Sequence, residues 1–507
     1  MKHIFRFLIL SVIVSACETP KGSSSGDVYN EPHRPQIHFT PDANWMNDPN
    51  GMVFHDNNYH LFYQYYPDST VWGPMHWGHA TSTDLVRWEH KPIALYPDSL
   101  GYIFSGSAVV DVDNTSGFGL NGKTPLVAIF THHDPNGERR GSITYQYQSL
   151  AYSLDAGKTW TKYSGNPVLE NPGIKDFRDP KVSWHQPSKK WIMTLATLDR
   201  ITFYSSPNLK DWTKESEFGK EFGAHGGVWE CPDLFELKSG GENIWVLLVS
   251  INPGGPNGGS ATQYFTGQFD GRTFTPYQTD TRWIDYGPDN YAGVTWSNTG
   301  ERKIFLGWMS NWQYANLVPT LSWRSAATVP RDLQIIRTGD KYLLASIPVP
   351  ELQKLAEPVQ TFNRFPDSIF TLSAHSTTLS GPGKLQIRAN RIDNFSIVLS
   401  NNVGNKLVIG YDKAANNYYI DRTASGETAF ESGFAARHYS PRLTDNPNVE
   451  LTLIIDNSSV ELFADGGLSV MSSIFFPEEI FSDLSIHSTG NFKLETVQFN
   501  RYRSMYR

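Results

Sequence analysis

Along most of the chain, apolar residues come in short runs that either alternate with polar ones or stay apolar throughout, and the runs end at Gly, Pro, Asn or Asp. The period is two rather than 3.6, so the predicted elements are β-strands. Three strand pairs share one layout. Gly51–His55 and Tyr59–Tyr65 follow Asn47-Asp48-Pro49. Val182–His185 and Trp191–Thr197 follow Arg178-Asp179-Pro180, and Leu234–Leu237 and Ile244–Ser250 follow Glu230-Cys231-Pro232-Asp233. Two further pairs complete the series: Ser107–Val112 with Pro125–Thr131, across a long insert at Asp113–Lys123, and Ala292–Trp296 with Lys303–Met309. First strands recurring every ~50–75 residues are the mark of β-propeller blades. A second repeat runs in phase with the first. Asp84 with Trp88, Asp155 with Trp160, Asn208 with Trp212 and Asp270 with Phe274 each combine a turn-forming Asx with a following aromatic. The Asx side chain caps its own turn, and the aromatic is expected to wedge between neighbouring blades. The fifth unit has no such copy and is expected to close through Ser322–Gln334.

Pro348, Pro350 and Pro358 bracket Glu351–Ala356, which reads as a short linker helix. Beyond it the blade signals stop. Evenly spaced strands follow at Phe370–Ser373, Lys384–Arg391, Phe395–Ser400, Lys406–Tyr411, Tyr418–Arg422, Val449–Asp456, Ser459–Phe463 and Leu468–Phe475. Ala464-Asp465-Gly466-Gly467 reads as a hairpin turn. Strands without helices at this spacing predict a β-sandwich. The expected fold is all-β: a five-bladed β-propeller over residues 34–345, a linker over 346–359, and a β-sandwich over 360–507.

Composition agrees. The 507 residues include 15 Trp and 24 Tyr, with 41 Gly and 31 Pro to make turns. Aromatic faces beside polar rims suit sugar rings, whose C–H faces stack on them. The net charge of −8 and the absence of basic runs exclude a nucleic-acid partner. The two cysteines are Cys17 and Cys231, and Cys17 falls in a leader, so no disulfide framework is expected. Lys2, His3 and Arg6 precede the apolar stretch Phe7–Val14, which is too short to span a bilayer. Val14-Ser15-Ala16-Cys17 resembles a bacterial lipobox, so residues 1–17 read as a signal peptide ending at a lipidated Cys17, with residues 18–33 as a flexible tether. The only membrane contact expected is this lipid anchor. Glu18-Thr19-Pro20-Lys21 is not an acidic run of the kind that resembles surface-export signals, so the periplasmic side of the cell envelope is the expected location.

The chemistry concentrates in the three acid–proline motifs. If the hairpins are repeats, Asp48, Asp179 and Glu230 occupy equivalent places and face one centre. Proline disfavours helix at the residue before it, so the acids are expected on extended approaches to their strands. Carboxylates clustered at one end of a β-fold point to acid/base or nucleophilic chemistry on an uncharged substrate. Glu230 lies between Trp229 and Cys231, weakly polar neighbours that suit a protonated acid. Asp48 follows Asn47 in a polar turn that suits an ionised carboxylate. Arg178 would hold Asp179 ionised if the two touch, although strand neighbours point to opposite faces. His76, His79, His132 and His133 read as ordinary loop histidines, and no metal or other cofactor is expected. Asn257-Gly258-Gly259-Ser260 has no following Lys and reads as a loop, not a phosphate cradle.

Trp45-Met46-Asn47-Asp48-Pro49-Asn50-Gly51, Phe177-Arg178-Asp179-Pro180-Lys181-Val182 and Trp229-Glu230-Cys231-Pro232-Asp233-Leu234-Phe235 together resemble the signatures of glycoside hydrolase family 32, the family of invertases, inulinases and levanases. Val460–Phe463 and Ser473–Pro477 resemble its sandwich domain, so the likeness runs from about Arg34 to the end of the chain. The resemblance implies a metal-free retaining hydrolase of β-fructofuranosides. Asp48 resembles the nucleophile, Glu230 the acid/base, and Asp179 the third acid that grips ring hydroxyls. It places Asn47, Gln64, Trp72, Phe104, Ser105 and Arg178 around the fructosyl unit. Trp312, in Ser310–Tyr314, is either a pocket residue or a core tryptophan between blades. The family usually has Gln-Tyr-Asn-Pro where this chain has Gln64-Tyr65-Tyr66-Pro67, which puts the contact at Tyr66 in question. Cys231 is expected to be chemically idle.

The implied activity is release of fructose from the non-reducing ends of levan or inulin, and of sucrose. The partners are therefore fructose-containing oligo- and polysaccharides. An endo-acting levanase and a fructosyltransferase stay open within the family. A non-catalytic fructan-binding lipoprotein is the alternative of another class; loss of a motif acid would mark it, and all three are present. A sialidase is disfavoured because its Arg cluster and Tyr/Glu pair are not recognisable.

Overall fold

The computed structural model describes residues 29–365 and 368–506. The expected leader with Cys17, and most of the expected tether, lie outside the described residues. Five sheets, antiparallel apart from one closing strand in the first, follow one another along the chain, and the strands nearest the axis are Asn44–His55, Tyr102–Val110, Phe177–His185, Val228–Ser239 and Tyr291–Thr295. Successive innermost strands touch, and the fifth touches the first, so the sheets are blades of a closed five-bladed propeller. Burial falls outward within a blade. Leu126–His133, second in blade 2, is buried along its whole length, whereas Glu89–Leu95, outermost in blade 1, is mostly half-exposed.

The turn-and-aromatic repeat does the packing expected of it. Asp84 Oδ1 accepts the backbone N–H groups of Val86 and Arg87, and Asp270 Oδ1 accepts those of Arg272 and Thr273. The aromatics then wedge against the preceding blade. Trp160 meets Phe62 edge-on at 5.4 Å, Phe274 meets Phe218 at 5.1 Å, and Trp88 stacks on Trp296 of blade 5 at 6.1 Å. Ring closure uses the expected stretch in part: Trp323–Arg324 pairs in parallel with Asn44-Trp45, and Arg331–Thr338 returns to blade 5 beside Ile304–Met309.

One feature of the sheets differs from expectation. The acids do not sit on approaches to strands. They lie inside long strands, at β-bulges. In each blade two residues of the innermost strand oppose one residue of its partner: Asn47-Asp48, Phe104-Ser105, Asp179-Pro180, Cys231-Pro232 and Ala292-Gly293. Asp179, Cys231 and Ala292 take positive φ there, at 66°, 44° and 53°. The register also shows that the three acids are not equivalent. Glu230 is the last paired residue before its bulge, so its counterpart in blade 3 is Arg178, not Asp179.

Pro350–Leu355 forms the expected linker helix, as a 3-10 turn. The second unit is a sandwich of two six-stranded antiparallel sheets. It includes strands the pattern reading did not assign, at Arg437–Pro441, Asp483–Ser488 and Leu494–Arg501. Ser469–Ile474 is the edge strand of one sheet, and the propeller covers that edge. Asp285 Oδ1 accepts the N–H of Ser472, Asp289 Oδ2 accepts that of Ile474, and Val470 O accepts that of Tyr286.

The seam between the two units is charged and buried. Arg331 pairs with Asp285 at 2.9 Å and with Glu461, and Arg422 pairs with Asp289 at 2.8 Å. His38 lies between Asp456 at 2.7 Å and Glu461 at 2.8 Å, all three side chains buried. Removing one partner of such a set leaves a buried charge uncompensated, which costs about 3–5 kcal/mol.

Burial alone would lower the His38 pKa, but the two carboxylates outweigh it and push it up to about 9. A raised histidine pKa gives stability that is complete below the ordinary value near 6.5 and is lost as pH rises through about 9. We expect this seam to contribute roughly 3 kcal/mol that disappears over that window. Thermal unfolding followed from about pH 6 to about pH 10 checks it, since His38→Gln should remove much of the alkaline decline. Parallel declines in the two proteins would show that His38 does not hold the seam.

Candidate active site

The bulges decide where the chemistry goes. A bulge re-aims side chains that an ordinary ladder would send to alternate faces. Five bulges at the same height in a ring therefore point a set of side chains into one axial funnel. The cavity there is about 270 Å³. Asn47, Asp48, Gln64, Trp72, Phe104, Ser105, Arg178, Asp179, Glu230 and Trp312 line it, so every residue expected at the site reaches it. Below the acids the ring narrows to a void of about 10 Å³ between Pro49, Gly106, Pro180 and Pro232.

Asp48 is held from three sides. Ser105 Oγ donates to Oδ2 at 2.7 Å, Asn47 Nδ2 donates to Oδ1 at 2.9 Å, and Cys231 Sγ lies 3.4 Å from Oδ2. The indole of Trp45 donates to Asn47 Oδ1 at 2.7 Å, which turns the Asn47 amide N–H toward Asp48. The polar turn expected to keep Asp48 an ordinary carboxylate is only part of its setting. Burial, then the nearby Glu230, push its pKa up, while the hydrogen bonds pull it back.

Asp179 Oδ2 accepts the Cys231 N–H at 3.0 Å and lies 3.6 Å from Cys231 Sγ. Arg178 does not pair with it. Burial, then the charges of Glu230 and Asp48, raise Asp179 above the usual carboxylate range, with Arg178 pulling in the other direction. Arg178 instead forks onto Glu230 Oε1, from Nε at 3.0 Å and Nη2 at 2.9 Å, and reaches Asp176 at 2.6 Å. Tyr291 donates its hydroxyl to Glu230 Oε2. The weakly polar sequence neighbours of Glu230 are therefore not what its carboxyl meets.

Cys231 is not idle. Its thiol touches both aspartates, and burial followed by their charges pushes its pKa well up, so it remains a neutral S–H donor. It fits a positioning role and not a nucleophilic one.

Two walls rise above the acids. One is aromatic: Trp72 meets Phe104 edge-on at 6.1 Å, and Trp312 stacks on Trp45 at 5.9 Å and also lines the cavity. Trp312 is thus a pocket residue and a packing residue at once. Tyr66 does not line the cavity; its ring lies 2.4 Å from where a Cβ on Gly73 would stand, so it backs the Trp72 segment. The other wall is polar and was missed. It carries His133, Glu138, Tyr145, Gln146 and Asp176. Gln146 Oε1 accepts from Phe177 N at 2.9 Å and from Arg178 Nη1 at 3.3 Å, so its amide N–H₂ faces His133 Nδ1 at 3.3 Å. His133 Nε2 then reaches Glu138 at 3.0 Å. His132 and His133 end a strand, and His76 and His79 lie in another, so none of the four is a loop histidine. The Asp113–Lys123 insert follows the far end of Tyr102–Val110, away from the funnel, so it adds nothing to the site.

Three carboxyls thus stand at the base of an aromatic-walled funnel in a propeller. The chain belongs to glycosyl hydrolase family 32: residues 38–346 match the family 32 N-terminal domain and residues 351–501 its C-terminal domain. It is similar to a levanase of Bacillus subtilis (strain 168), at 42% identity over 522 residues covering 100% of this chain and 76% of that protein. It is 41% identical over 513 residues to an extracellular exo-inulinase of Aspergillus awamori, covering 94% of this chain and 95% of that one. The crystal structure of exo-inulinase from Aspergillus awamori superposes with a TM-score of 0.86 at 38% identity, covering 94% of this chain and 99% of that one. The structure of β-fructofuranosidase from Schwanniomyces occidentalis complexed with fructosyl-erythritol gives 0.85 at 33%, covering 95% and 100%.

The raised carboxylates yield a prediction about stability. An acid whose folded pKa is raised destabilises the fold once it ionises; the penalty is absent below its unfolded pKa and complete above its folded one. Asp48→Asn and Asp179→Asn should each melt a few degrees higher than the parent at about pH 8, with the gain shrinking toward about pH 4. Differential scanning calorimetry at both values checks the sign. A loss of stability at the alkaline value would show that hydrogen bonding at these sites outweighs burial.

Proposed function

We propose that this protein is an exo-acting, retaining fructan β-fructosidase that releases fructose from the non-reducing ends of levan and inulin, and splits sucrose. The observation that carries the reading is the shape of the site. Below the acids the funnel narrows to a void of about 10 Å³, and its own volume of about 270 Å³ is under the ~300–1,000 Å³ of a typical drug-sized pocket, room for about one sugar ring. An endo-acting enzyme needs a groove open on both sides.

The lining of the funnel supports the two-step mechanism that the family resemblance implies. Asp48 attacks the anomeric carbon of the terminal fructosyl unit, and the bond to the leaving oxygen breaks as Glu230 gives that oxygen its proton. Glu230 then takes a proton from water, the water oxygen bonds to the anomeric carbon, and Asp48 is released. The fork from Arg178 and the hydroxyl of Tyr291 fix the direction of Glu230. Asp179, anchored by the Cys231 N–H, accepts from ring hydroxyls and stabilises positive charge developing on the ring. The names of the relatives, levanase and exo-inulinase, support fructans as substrates. The lipobox-like Val14–Cys17 supports a lipoprotein and the lack of an acidic run at Glu18–Lys21 its periplasmic side, and Cys17→Ser should move the active protein from the membrane to the soluble fraction; an unchanged distribution would refute the anchor.

Two measurements test the activity. Early products from levan should be almost entirely free fructose, with slow loss of polymer length; rapid shortening with oligosaccharides would mean an open cleft. Glu230→Gln should lose about 10²–10⁴-fold on sucrose and far less on aryl fructosides with activated leaving groups. Equal losses across a leaving-group series would make Glu230 a binding residue.

A further inference from the structure

Two of the three aromatics of the pocket wall, Trp312 and Trp72, meet one segment, 310–318. Trp312 lies on it directly. Trp72, from the connection after Asn58–Tyr66, is held to it by one bond: Asn316 Oδ1 accepts the Trp72 backbone N–H at 2.9 Å. Trp72 is 40% exposed at the pocket mouth, and its ring meets Phe104 edge-on at 6.1 Å. Tyr66 backs the same connection, and there only Gly73 fits against its ring.

The segment itself is pinned from the second unit. The Tyr314 hydroxyl donates to Asp289 Oδ1 at 2.5 Å, and Arg422 of the sandwich donates from Nη2 to that hydroxyl at 3.0 Å and from Nη1 to Asp289 Oδ2 at 2.8 Å. Arg422 is buried and its guanidinium also covers the Phe434 ring at 3.8 Å. Asn311 ties the start of the segment to Pro288 O at 2.8 Å, and Arg324 ties its end to Val318 O at 3.0 Å. A continuous path of contacts therefore runs from the sandwich to both tryptophans of the wall.

We infer that Asn316 is a positioning residue for the fructosyl pocket, and that the sandwich sets the aromatic wall through Arg422, Asp289 and Tyr314. The inference rests on the fructosidase reading of the site. Asn316 touches no acid and does not line the cavity, so its effect passes through Trp72. An aromatic wall contributes binding shared by substrate and transition state, so its misplacement appears in KM and not in kcat.

The test is steady-state kinetics on sucrose and on a short inulin-type oligosaccharide with the full chain. Asn316→Leu should raise KM about three- to ten-fold with kcat nearly held. Asn316→Asp keeps an acceptor for the Trp72 N–H and should restore KM to within about two-fold of the parent. Tyr314→Phe removes the hydroxyl that couples Asp289 and Arg422 to the segment, and should raise KM in the same way. An unchanged KM in Asn316→Leu, or a fall confined to kcat, overturns the role of Asn316. A raised KM in Asn316→Leu with an unchanged KM in Tyr314→Phe overturns the reach of the sandwich. If Tyr314→Phe is poorly folded, its lowered melting temperature reports that, and the Asn316 pair still decides the first claim. Failure of the fructosidase reading is distinct: the parent protein itself would then release no fructose.

Discussion

The site depends on a break in register repeated five times around the ring. A regular strand sends consecutive side chains to opposite faces, so an unbroken inner strand offers the funnel only every second residue. The two-against-one bulge at Asn47-Asp48, Phe104-Ser105, Asp179-Pro180, Cys231-Pro232 and Ala292-Gly293 lifts that restriction at one height. Ser105 can then donate to Asp48, and the Cys231 N–H, freed from the ladder, can hold Asp179. Proline suits two of these bulges because a bulged position gives up a ladder bond that proline could not make.

Charge sets the second constraint. Three carboxyls in one buried funnel repel each other, and the fold answers with one guanidinium, aimed at Glu230 and not at its own sequence neighbour. The same trade recurs at the seam, where buried arginines and His38 neutralise carboxylates drawn from both units. The sandwich thereby becomes part of the framework that shapes the pocket.

The propeller, the sandwich and the three acids were legible because their signals are local. Period-two runs, Asx turns with a following aromatic, and acid–proline motifs each fit within a few residues. What was not legible depends on register. Arg178 and Glu230 are counterparts only once strand pairing is known, and the adjacency of Arg178 to Asp179 in sequence suggested the wrong partner. Tyr291 holds the same place in blade 5, yet carries neither acid nor proline, so no pattern marked it. The polar wall of His133, Glu138 and Gln146 comes from strand ends and one short helix, Pro135–Arg139, brought together only by the ring. Of its residues only His133 stood out in the sequence, and as a loop histidine; Asp134-Pro135, a capping pair, sets the helix bearing Glu138.

The central claim is that the bulge in blade 1 presents Asp48 as the nucleophile. The most direct measurement uses Glu230→Gln with an activated fructosyl donor, rapid acid quench and peptide mass mapping. Loss of the acid/base slows release of the intermediate more than its formation when the leaving group needs no protonation. The account predicts one fructosyl unit esterified to Asp48, on the peptide spanning Trp45–Gly51. A fructosyl group on Asp179 or Cys231, or turnover of the donor with inverted anomeric configuration and no covalent species, would contradict it.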